Sequence, residues 1–228
     1  MFEGFPKGCV PFLRQLAKNN NRNWFNENKQ RYEDNVRTPA LRYIEAMGGQ
    51  IDKHLSSHFL AQPKKVGGSL MRVYRDTRFA KDKTPLKTNV GIQFRHELGK
   101  DVHAPGFYLH IEPGNCFLGA GIWHPESRVL AAIRNFIVDN PNSWKQVTGS
   151  RSFKKNWQLV GDTLVRPPRG FDPEHELLVD LKRKDFIACM NFADGEINSP
   201  KFPAYTIRQF KQVSDLVAYL CMAVEADY

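Results

Sequence analysis

The sequence predicts an α+β fold in which helices pack on one mainly antiparallel central sheet. Apolar and polar residues alternate over 70–75, 89–95, 106–112 and 116–123, as they do in half-buried strands. Apolar residues recur at helical spacing at the N-terminus, in the middle and at the C-terminus of the chain. The 228 residues contain no internal repeat, low-complexity tract or long linker, so we expect one domain over 1–228.

Two helices joined by an asparagine turn are predicted at the start of the chain. Apolar residues flank the triplet Asn19-Asn20-Asn21 at helical spacing: Phe12, Leu13 and Leu16 before it, and Trp24, Phe25 and Tyr32 after it. Asparagine tolerates the backbone conformations of helix ends and caps a following helix with its side chain. The triplet therefore indicates the end of one helix and the start of the next.

A third helix is predicted to begin at Thr38, with Thr38 as its N-cap and Pro39 in its first turn. Its buried stripe consists of Leu41, Ile44, Met47, Ile51 and Leu55. Gly48 and Gly49 fall inside it, and each glycine costs about 1 kcal/mol relative to alanine. The pair indicates a kink, an early end of the helix or close packing against a neighbouring element.

The alternating block that follows gives four strands. The second and third each place three apolar residues on one face: Val90, Ile92 and Phe94, then Phe107, Leu109 and Ile111. Pro113-Gly114-Asn115 is a turn signal between the last two strands, so we expect these strands to form a hairpin.

The second half of the chain adds helices and one more strand. A helix is predicted from Pro125 to Asp139, and 185–192 has the apolar density of a buried strand. A short helix is expected within 174–184. The last helix presents Ile207, Phe210, Val213, Val217, Leu220 and Val224 to the core.

Charge points to an anionic partner. Lys and Arg number 33 against 24 Asp and Glu, which gives a net charge of +9. No nucleic-acid recognition motif accompanies this charge. No apolar run approaches the roughly 18 residues of a membrane span and no secretory signal begins the chain, so we expect a cytoplasmic protein without a membrane partner.

Metal and disulfide sites are not indicated. Cys9, Cys116, Cys189 and Cys221 lie far apart in the sequence and are expected to be reduced core residues. His54 and His58 stand four apart but have no evident third ligand, and two isolated aspartates in 75–88 do not make a metal signature. We predict no metal, and the sequence specifies neither a cofactor nor an oligomeric state.

The stretch 75–88, RDTRFAKDKTPLKT, is strongly basic. If 70–75 is a strand of the sheet, alternation puts Arg72 on the polar face with Tyr74, Gln93, Arg95, Tyr108, His110 and Glu112. Guanidinium, phenol, imidazole and carboxylate groups hold oxyanions and move protons. We therefore predict a site for a phosphorylated or carboxylated small molecule on this face, closed by the basic loop 75–88.

His110 is the acid–base candidate of this site, which leaves open whether the protein is an enzyme. The predicted ligand-binding residues are Arg72, Arg75, Asp76, Arg78, Lys81, Lys83, Lys87, Arg95 and Tyr108.

Five stretches together resemble a bacterial family of conserved hypothetical proteins, domain of unknown function 2461. They are WF-x-x-NK-x-x-Y (24–32), RVYRDTRFAKDKTPLKT (72–88), GFYLHI (106–111), G-x-G-x-W (119–123) and RPPRGFDPEH (166–175). The similarity runs over nearly the whole chain in the right order. It implies an α+β domain and a cytoplasmic setting, and it carries over no activity, cofactor or catalytic residue.

Two other functions compete with the small-molecule site. The basic loop could dock an acidic protein partner without any chemistry. With no binding role at all, it would be an ordinary solvated loop between strands. It could also bind nucleic acid non-specifically through phosphates, which would make the affinity fall steeply with salt. We rank the small-molecule site first, the interaction module second and nucleic-acid binding third.

Overall fold

The computed structural model describes residues 2–99 and 104–228 and confirms the α+β class with a mainly antiparallel sheet. The strands are β1 (Phe59–Leu60), β2 (Val90–His96), β3 (Gly106–Ile111), β4 (Cys116–Ile122), β5 (Gln158–Val160) and β6 (Phe186–Phe192). Their order in the sheet is β1-β2-β3-β4-β6-β5, and every neighbouring pair is antiparallel. The short strands β1 and β5, which alternation did not predict, form the two edges.

The described residues form ten α-helices. They are α1 (Cys9–Lys18), α2 (Arg22–Glu27), α3 (Lys29–Tyr32), α4 (Thr38–His54), α5 (Ser127–Asp139), α6 (Pro141–Gly149), α7 (Arg151–Asn156), α8 (Leu178–Leu181), α9 (Phe202–Phe210) and α10 (Ser214–Ala223). Of these helices, α4 and α10 contact the central strands. A π turn (Glu33–Arg37) precedes α4, and a 3-10 turn (Asp194–Asn198) precedes α9. Within the described residues no helix is long and apolar enough to cross a membrane.

The asparagine triplet ends one helix and starts the next, as predicted. Asn19 is the C-cap of α1, and the Asn21 side chain accepts a hydrogen bond from the N–H of Trp24 at 2.9 Å. An asparagine side chain at this position satisfies a backbone donor that the first helical turn leaves free. The local sequence thus determines the angle at which the chain enters α2.

Helix α4 begins at Thr38, but Thr38 is not a side-chain cap. The N-cap position is Arg37, which already has helical dihedrals because α4 continues directly from the π turn. Pro39 lies in the first turn, where its missing N–H is tolerated. The helix runs through Gly48 and Gly49 to His54, so the glycine pair does not end it. A Cβ atom on Gly48 would lie 3.7 Å from Ala61, which is ordinary contact, and one on Gly49 would meet no described atom within 4 Å, so close packing explains neither glycine.

The cross-strand register produces a continuous apolar face. Ile92, Leu109, Leu118 and Met190 are successive neighbours across β2, β3, β4 and β6, and all are buried. Helix α4 packs against β2 and helix α10 against β4 on this side. Burial of an aliphatic or aromatic side chain contributes about 1.5–3 kcal/mol, so this face is the main source of stability. The β3–β4 hairpin at Gly114 is confirmed.

The first predicted strand, 70–75, is not a continuous strand of the sheet. Leu70 bridges to Ile92 of β2, but the chain then leaves the edge of β2. The N–H of Lys87 donates instead to the carbonyl oxygen of Val73 at 2.7 Å. This local pairing satisfies the backbone groups of the segment, so they do not need the sheet. Residues 70–88 therefore form a short ribbon beside β2.

The closing apolar segment forms two helices where the spacing predicted one. The chain turns between α9 and α10, where the Ser214 hydroxyl donates to the carbonyl oxygen of Lys211 at 3.0 Å. This side-chain bond satisfies a carbonyl near the end of α9. The apolar stripe continues across the break, because Phe210, Val213 and Val217 are all buried.

Candidate ligand-binding site

A cavity of about 420 Å³ opens on the face of the sheet opposite the main core. Gln93, Tyr108 and Gly119 are successive cross-strand neighbours on this face. The floor also contains Gly106 and Gly121, which oppose each other across β3 and β4. Because these glycines carry no side chains, the central strands leave a depression in the sheet surface.

Gly119 and Gly121 are not equivalent, although both belong to the floor. Gly121 has φ +126°, and a Cβ atom there would lie 2.1 Å from the backbone oxygen of Phe186. A Cβ atom on Gly119 would meet Tyr108 and Ile187 side chains at 3.5 Å and 3.6 Å, which is ordinary contact. Gly121 is therefore required by the backbone, whereas Gly119 only keeps the cavity open.

The walls combine apolar groups with two cations. Met71, Phe117, Trp123 and Ile187 supply most of the apolar surface. The cationic side chains of the lining are Arg75 and Lys87, which the ribbon 70–88 brings over the sheet. Strand alternation had suggested Arg72 in this position. In the observed register Leu70 lies opposite the core residue Ile92, so Met71 faces the cavity instead.

Lys87 is a half-buried cation without a carboxylate partner in the described part of the chain. Among the residues that the structure describes, no Asp or Glu lies within ion-pair distance of it, and its Nζ atom is 4.0 Å from Met71 Sδ. Burial lowers the pKa of Lys87, and the nearby charge of Arg72 lowers it further. An anionic ligand would relieve both effects, because it supplies the missing counter-charge.

Arg75 is already held by its own loop. Its guanidinium donates hydrogen bonds to Asp82 and to the Thr84 hydroxyl. The hydrogen bond from Arg75, followed by those from Thr84, lowers the pKa of Asp82 to about 2. Arg75 is therefore fixed at the cavity wall in an ion pair with Asp82.

His110 is the centre of a hydrogen-bonded row along β3. Its Nδ1 atom is 3.0 Å from the Tyr108 hydroxyl, and its Nε2 atom is 3.4 Å from Glu112 Oε2. A carboxylate at Nε2 favours the tautomer that carries its proton there, which leaves the Nδ1 lone pair to accept from the Tyr108 O–H and from the Asn89 amide, whose nitrogen is 3.3 Å away. The imidazole stacks on Phe117 with ring centroids 4.5 Å apart, so the ring is held in one plane.

Burial and hydrogen bonding set the protonation states of this row. Burial lowers the pKa of His110, although Glu112 opposes this effect. Burial also raises the pKa of Tyr108, which keeps the phenol protonated. For Glu112, burial raises the pKa, but hydrogen bonds from Asn115, His110 and Thr88 outweigh it and lower the pKa overall. The row thus holds one carboxylate, one neutral imidazole and one neutral phenol.

Most charged side chains of the basic loop 75–88 bond to other residues of the same loop. Arg78 makes two hydrogen bonds with the Asp76 carboxylate at 2.7 Å and 3.0 Å, and this lowers the pKa of Asp76 to about 2. Lys83 donates to the Thr77 carbonyl oxygen at 2.9 Å. Lys81 is exposed, and Arg72 lies 4.0 Å from Asp76 with 68% of its side chain exposed. None of these residues lines the cavity.

The remaining predicted residues lie apart from the cavity. Arg95 belongs to β2 and follows the same face, but it lies outside the cavity lining, and within the described chain its buried Nε atom has no hydrogen-bond partner. Tyr74 packs edge-to-face on Phe25 of α2 at 5.9 Å. The structure therefore gathers Arg75, Lys87, Tyr108 and His110 from the predicted set.

Asn20 and Asp185 position the walls and were not predicted. The Asn20 side-chain amide donates a hydrogen bond to the Leu86 carbonyl oxygen at 2.9 Å and accepts one from the Leu86 N–H at 3.0 Å. It thus anchors the residue before Lys87. Asp185 is 1% exposed and accepts hydrogen bonds from the N–H groups of His124 and Asp162 at 2.8 Å and 3.0 Å. The asparagine triplet in the sequence could have indicated a structural role for Asn20. Nothing in the sequence distinguishes Asp185, which is a single aspartate before a strand.

His54 and His58, which stand four apart in the sequence, contact other side chains. Over residues 2–99 and 104–228 no group of three or more His, Cys, Asp and Glu side chains could hold a metal ion. His58 pairs with Glu97, and His54 Nδ1 lies 3.2 Å from Lys211 Nζ.

Comparison with known proteins gives one match. A family model described as conserved hypothetical protein (DUF2461) matches residues 8–219 of the 228. No curated protein and no solved structure matches the chain. The matched region includes all the strands of the sheet and the whole cavity. The chain therefore belongs to the family of conserved hypothetical proteins DUF2461.

Proposed function

We propose that this protein binds a small molecule with a carboxylate or phosphate group in the cavity between the sheet and the ribbon 70–88. One observation carries the proposal. Lys87 is half-buried, has no carboxylate partner in the described chain, and lines a concave, largely apolar site. A buried unpaired cation costs free energy in the unliganded protein, and an anionic ligand removes this cost.

The shape of the cavity supports a ligand with a compact apolar body. Its volume of about 420 Å³ falls within the range of about 300–1,000 Å³ typical of small-molecule sites. The glycine floor and the side chains of Phe117 and Trp123 suit a flat apolar group, and Arg75 adds positive charge at the wall. His110 keeps the acid–base role predicted from the sequence as part of this proposal.

Calorimetric titration with benzoate, phenyl phosphate and neutral benzamide tests the proposal. We expect the anions to bind and benzamide to bind more weakly. Lys87→Met keeps the length of the side chain and should weaken anion binding by about 10–100-fold, because a charge-assisted hydrogen bond contributes about 1.5–3 kcal/mol. Lys81→Met removes the same charge outside the cavity and is the matched control, for which wild-type affinity is expected.

Two results would contradict this proposal. One is the absence of heat of binding for all three probes at millimolar concentration. The other is an equal loss of affinity in Lys87→Met and Lys81→Met, because the effect would then come from overall charge and not from the cavity.

One observation favours protein interaction as a second function. Phe79, at the tip of the basic loop, is 95% exposed, and the Arg78 guanidinium lies 5.9 Å from its ring. Exposed aromatic and arginine side chains are common at binding surfaces. Recovery of one acidic partner by the wild type, lost in Phe79→Ser and kept in Lys87→Met, would support it. Three expectations from the sequence stay predictions. They are nucleic-acid binding, ligand binding by the residues of the basic loop 75–88 that lie outside the cavity, and a cytoplasmic setting.

A further inference from the structure

We infer that Tyr108 is the reacting group of the cavity, with His110 as its general base and Glu112 as the residue that positions His110. The inference rests on the proposed function, because it needs a ligand that enters the same cavity. It goes further by assigning proton transfer to three particular atoms and by shifting the group that touches the ligand from His110 to Tyr108.

The geometry of the row supplies the first argument. The Tyr108 hydroxyl lies 3.0 Å from His110 Nδ1, and His110 Nε2 lies 3.4 Å from Glu112. A nucleophile or proton carrier within hydrogen-bond reach of a base, which a third group orients, is the arrangement found in activated nucleophiles generally. With the His110 proton on Nε2, the Tyr108 hydroxyl donates to Nδ1, and the Tyr108 oxygen keeps lone pairs that can accept a proton from a ligand.

The fixed position of each member supplies the second argument. Phe117 covers one face of the imidazole of His110. Glu112 is held by the Thr88 hydroxyl at 3.1 Å and by the Asn115 amide at 3.0 Å. Such support keeps a proton-transfer site in its working geometry before the ligand arrives. The strands β3 and β4, the turn between them and Thr88 at the end of the ribbon thus hold the whole row, and little rearrangement is needed on binding.

The proton balance follows from these positions. A ligand X–H bond breaks and its proton forms an O–H bond on Tyr108. In the same step the original hydroxyl proton leaves Tyr108 and forms an N–H bond at His110 Nδ1. The electron pair of the X–H bond stays on the ligand, and Glu112 stabilises the imidazolium. The phenol stays neutral throughout this proton transfer. Towards a ligand with an electrophilic atom, the same hydroxyl proton passes to His110 as the Tyr108 oxygen forms its bond to that atom and the leaving group departs with its electron pair.

The ligand class follows from the two ends of the site. Lys87 and Arg75 suit a carboxylate or phosphate, and Tyr108 suits an acidic or electrophilic atom beyond an apolar spacer. The inferred ligand is a small, flat anion whose reacting atom is separate from its anionic group.

A covalent probe with these two ends tests the inference. 4-(Fluorosulfonyl)benzoate carries a carboxylate and a sulfonyl fluoride on opposite sides of a benzene ring. On attack by Tyr108 an S–O bond forms, the S–F bond breaks, fluoride leaves with the electron pair, and His110 accepts the phenol proton. Benzenesulfonyl fluoride reacts in the same way without the carboxylate.

We expect peptide mapping to locate the label on Tyr108, at least about tenfold faster than on the half-exposed Tyr74. Tyr108→Phe keeps the ring and should remove the label without a change in thermal unfolding. His110→Gln should slow labelling by both probes about 100-fold, which is the lower end of general-base catalysis. Labelling at Lys87 in place of Tyr108, or a rate that is unchanged in His110→Gln, would overturn the relay.

The role of Glu112 needs a measurement that structural damage does not mimic. Glu112→Gln keeps an acceptor for the Nε2 proton but removes the charge that favours the imidazolium. The midpoint of the labelling rate against pH should therefore move to lower pH, while the rate at its plateau is retained. The titratable groups around His110 are Glu112 and Tyr108 on its own strand, Lys87 and Arg75 across the cavity, and Cys189 on β6. A midpoint that does not move contradicts a positioning role.

The two probes separate this inference from the proposed function. Lys87→Met should slow the carboxylate probe much more than the neutral probe. If Lys87→Met has no effect while His110→Gln still slows both probes, anion binding is wrong and the relay stands. If the carboxylate probe binds through Lys87 but never labels Tyr108, the relay is wrong and the binding site stands.

Discussion

At the scale of single residues, the partner of each charge decides its role. Five cations in 75–88 look alike in the sequence, yet Arg75 and Arg78 are engaged by aspartates of the same loop. Lys87 differs because the ribbon carries it over the sheet, away from the described carboxylates. Local composition predicted an anion site, but it could not distinguish a cation that binds an aspartate from one that awaits a ligand.

His110 gives a prediction at this scale. Burial lowers its pKa below the ordinary value of 6.5, so the folded chain holds a neutral ring where the unfolded chain is protonated. Between the folded pKa and 6.5 the unfolded state binds more protons, and the free energy of unfolding must fall as pH falls. The contribution is fully present above 6.5. His110→Gln should therefore show a flatter dependence of stability on pH than the wild type below this value.

Urea unfolding at pH values on both sides of 6.5, together with an NMR titration of the imidazole, checks this directly. Only the difference between the slopes matters, because His110→Gln also removes hydrogen bonds at every pH. Equal slopes, or an imidazole that titrates above 6.5, would show that His110 is not buried as described.

At the scale of elements, alternation predicted β2, β3 and β4 and the apolar face that β2 and β3 share, and apolar density predicted β6. The same rule failed for 70–75, because alternation describes which residues share a face but not which partner a strand chooses. Glycines at 106, 119 and 121 were present in the sequence, yet their common position on the cavity floor followed only from the observed register.

The two glycines that β4 contributes to the cavity floor, Gly119 and Gly121, give a matched pair of variants. Gly119→Val adds a branched side chain where Cβ contacts are ordinary, and it should fold normally while it reduces benzoate affinity by about tenfold or more. Gly121→Val lies on the same face but requires a valine at φ +126° and a Cβ atom 2.1 Å from Phe186 O. It should lose about 1–3 kcal/mol of unfolding free energy.

Thermal unfolding and benzoate titration of both variants distinguish these effects. Each kcal/mol corresponds to a shift in Tm of about 2–4 °C for a chain of this size. Equal destabilisation of the two variants, or unimpaired binding by Gly119→Val, would contradict the assignment of β4 as the floor.

At the scale of the whole molecule, the four cysteines report on the core. Burial raises the pKa of Cys9, Cys116 and Cys221 to about 12 and that of Cys189 to about 11. Thiols with such values contain little thiolate and are inert. We expect Ellman's reagent to react slowly with the native chain at mildly alkaline pH and to titrate four thiols after unfolding in guanidinium.

Cys189 should be the first to react, because it is the partly exposed member of the four. Its replacement by serine should remove the fastest phase and leave the others unchanged. Rapid reaction of several thiols in the native chain would mean that the packing around the sheet is looser than described.

The sequence by itself determined the α+β class, the position of four strands and of the main helices, and the family. These depend on periodicity, caps and turns, which act over a few residues and are visible along the chain. Only the tertiary structure decided that Lys87 and Tyr108 share a cavity and that most of the basic loop pairs with itself. The physical reason is that a site depends on register and on the partners of each charge, and both are set by contacts between residues distant in sequence.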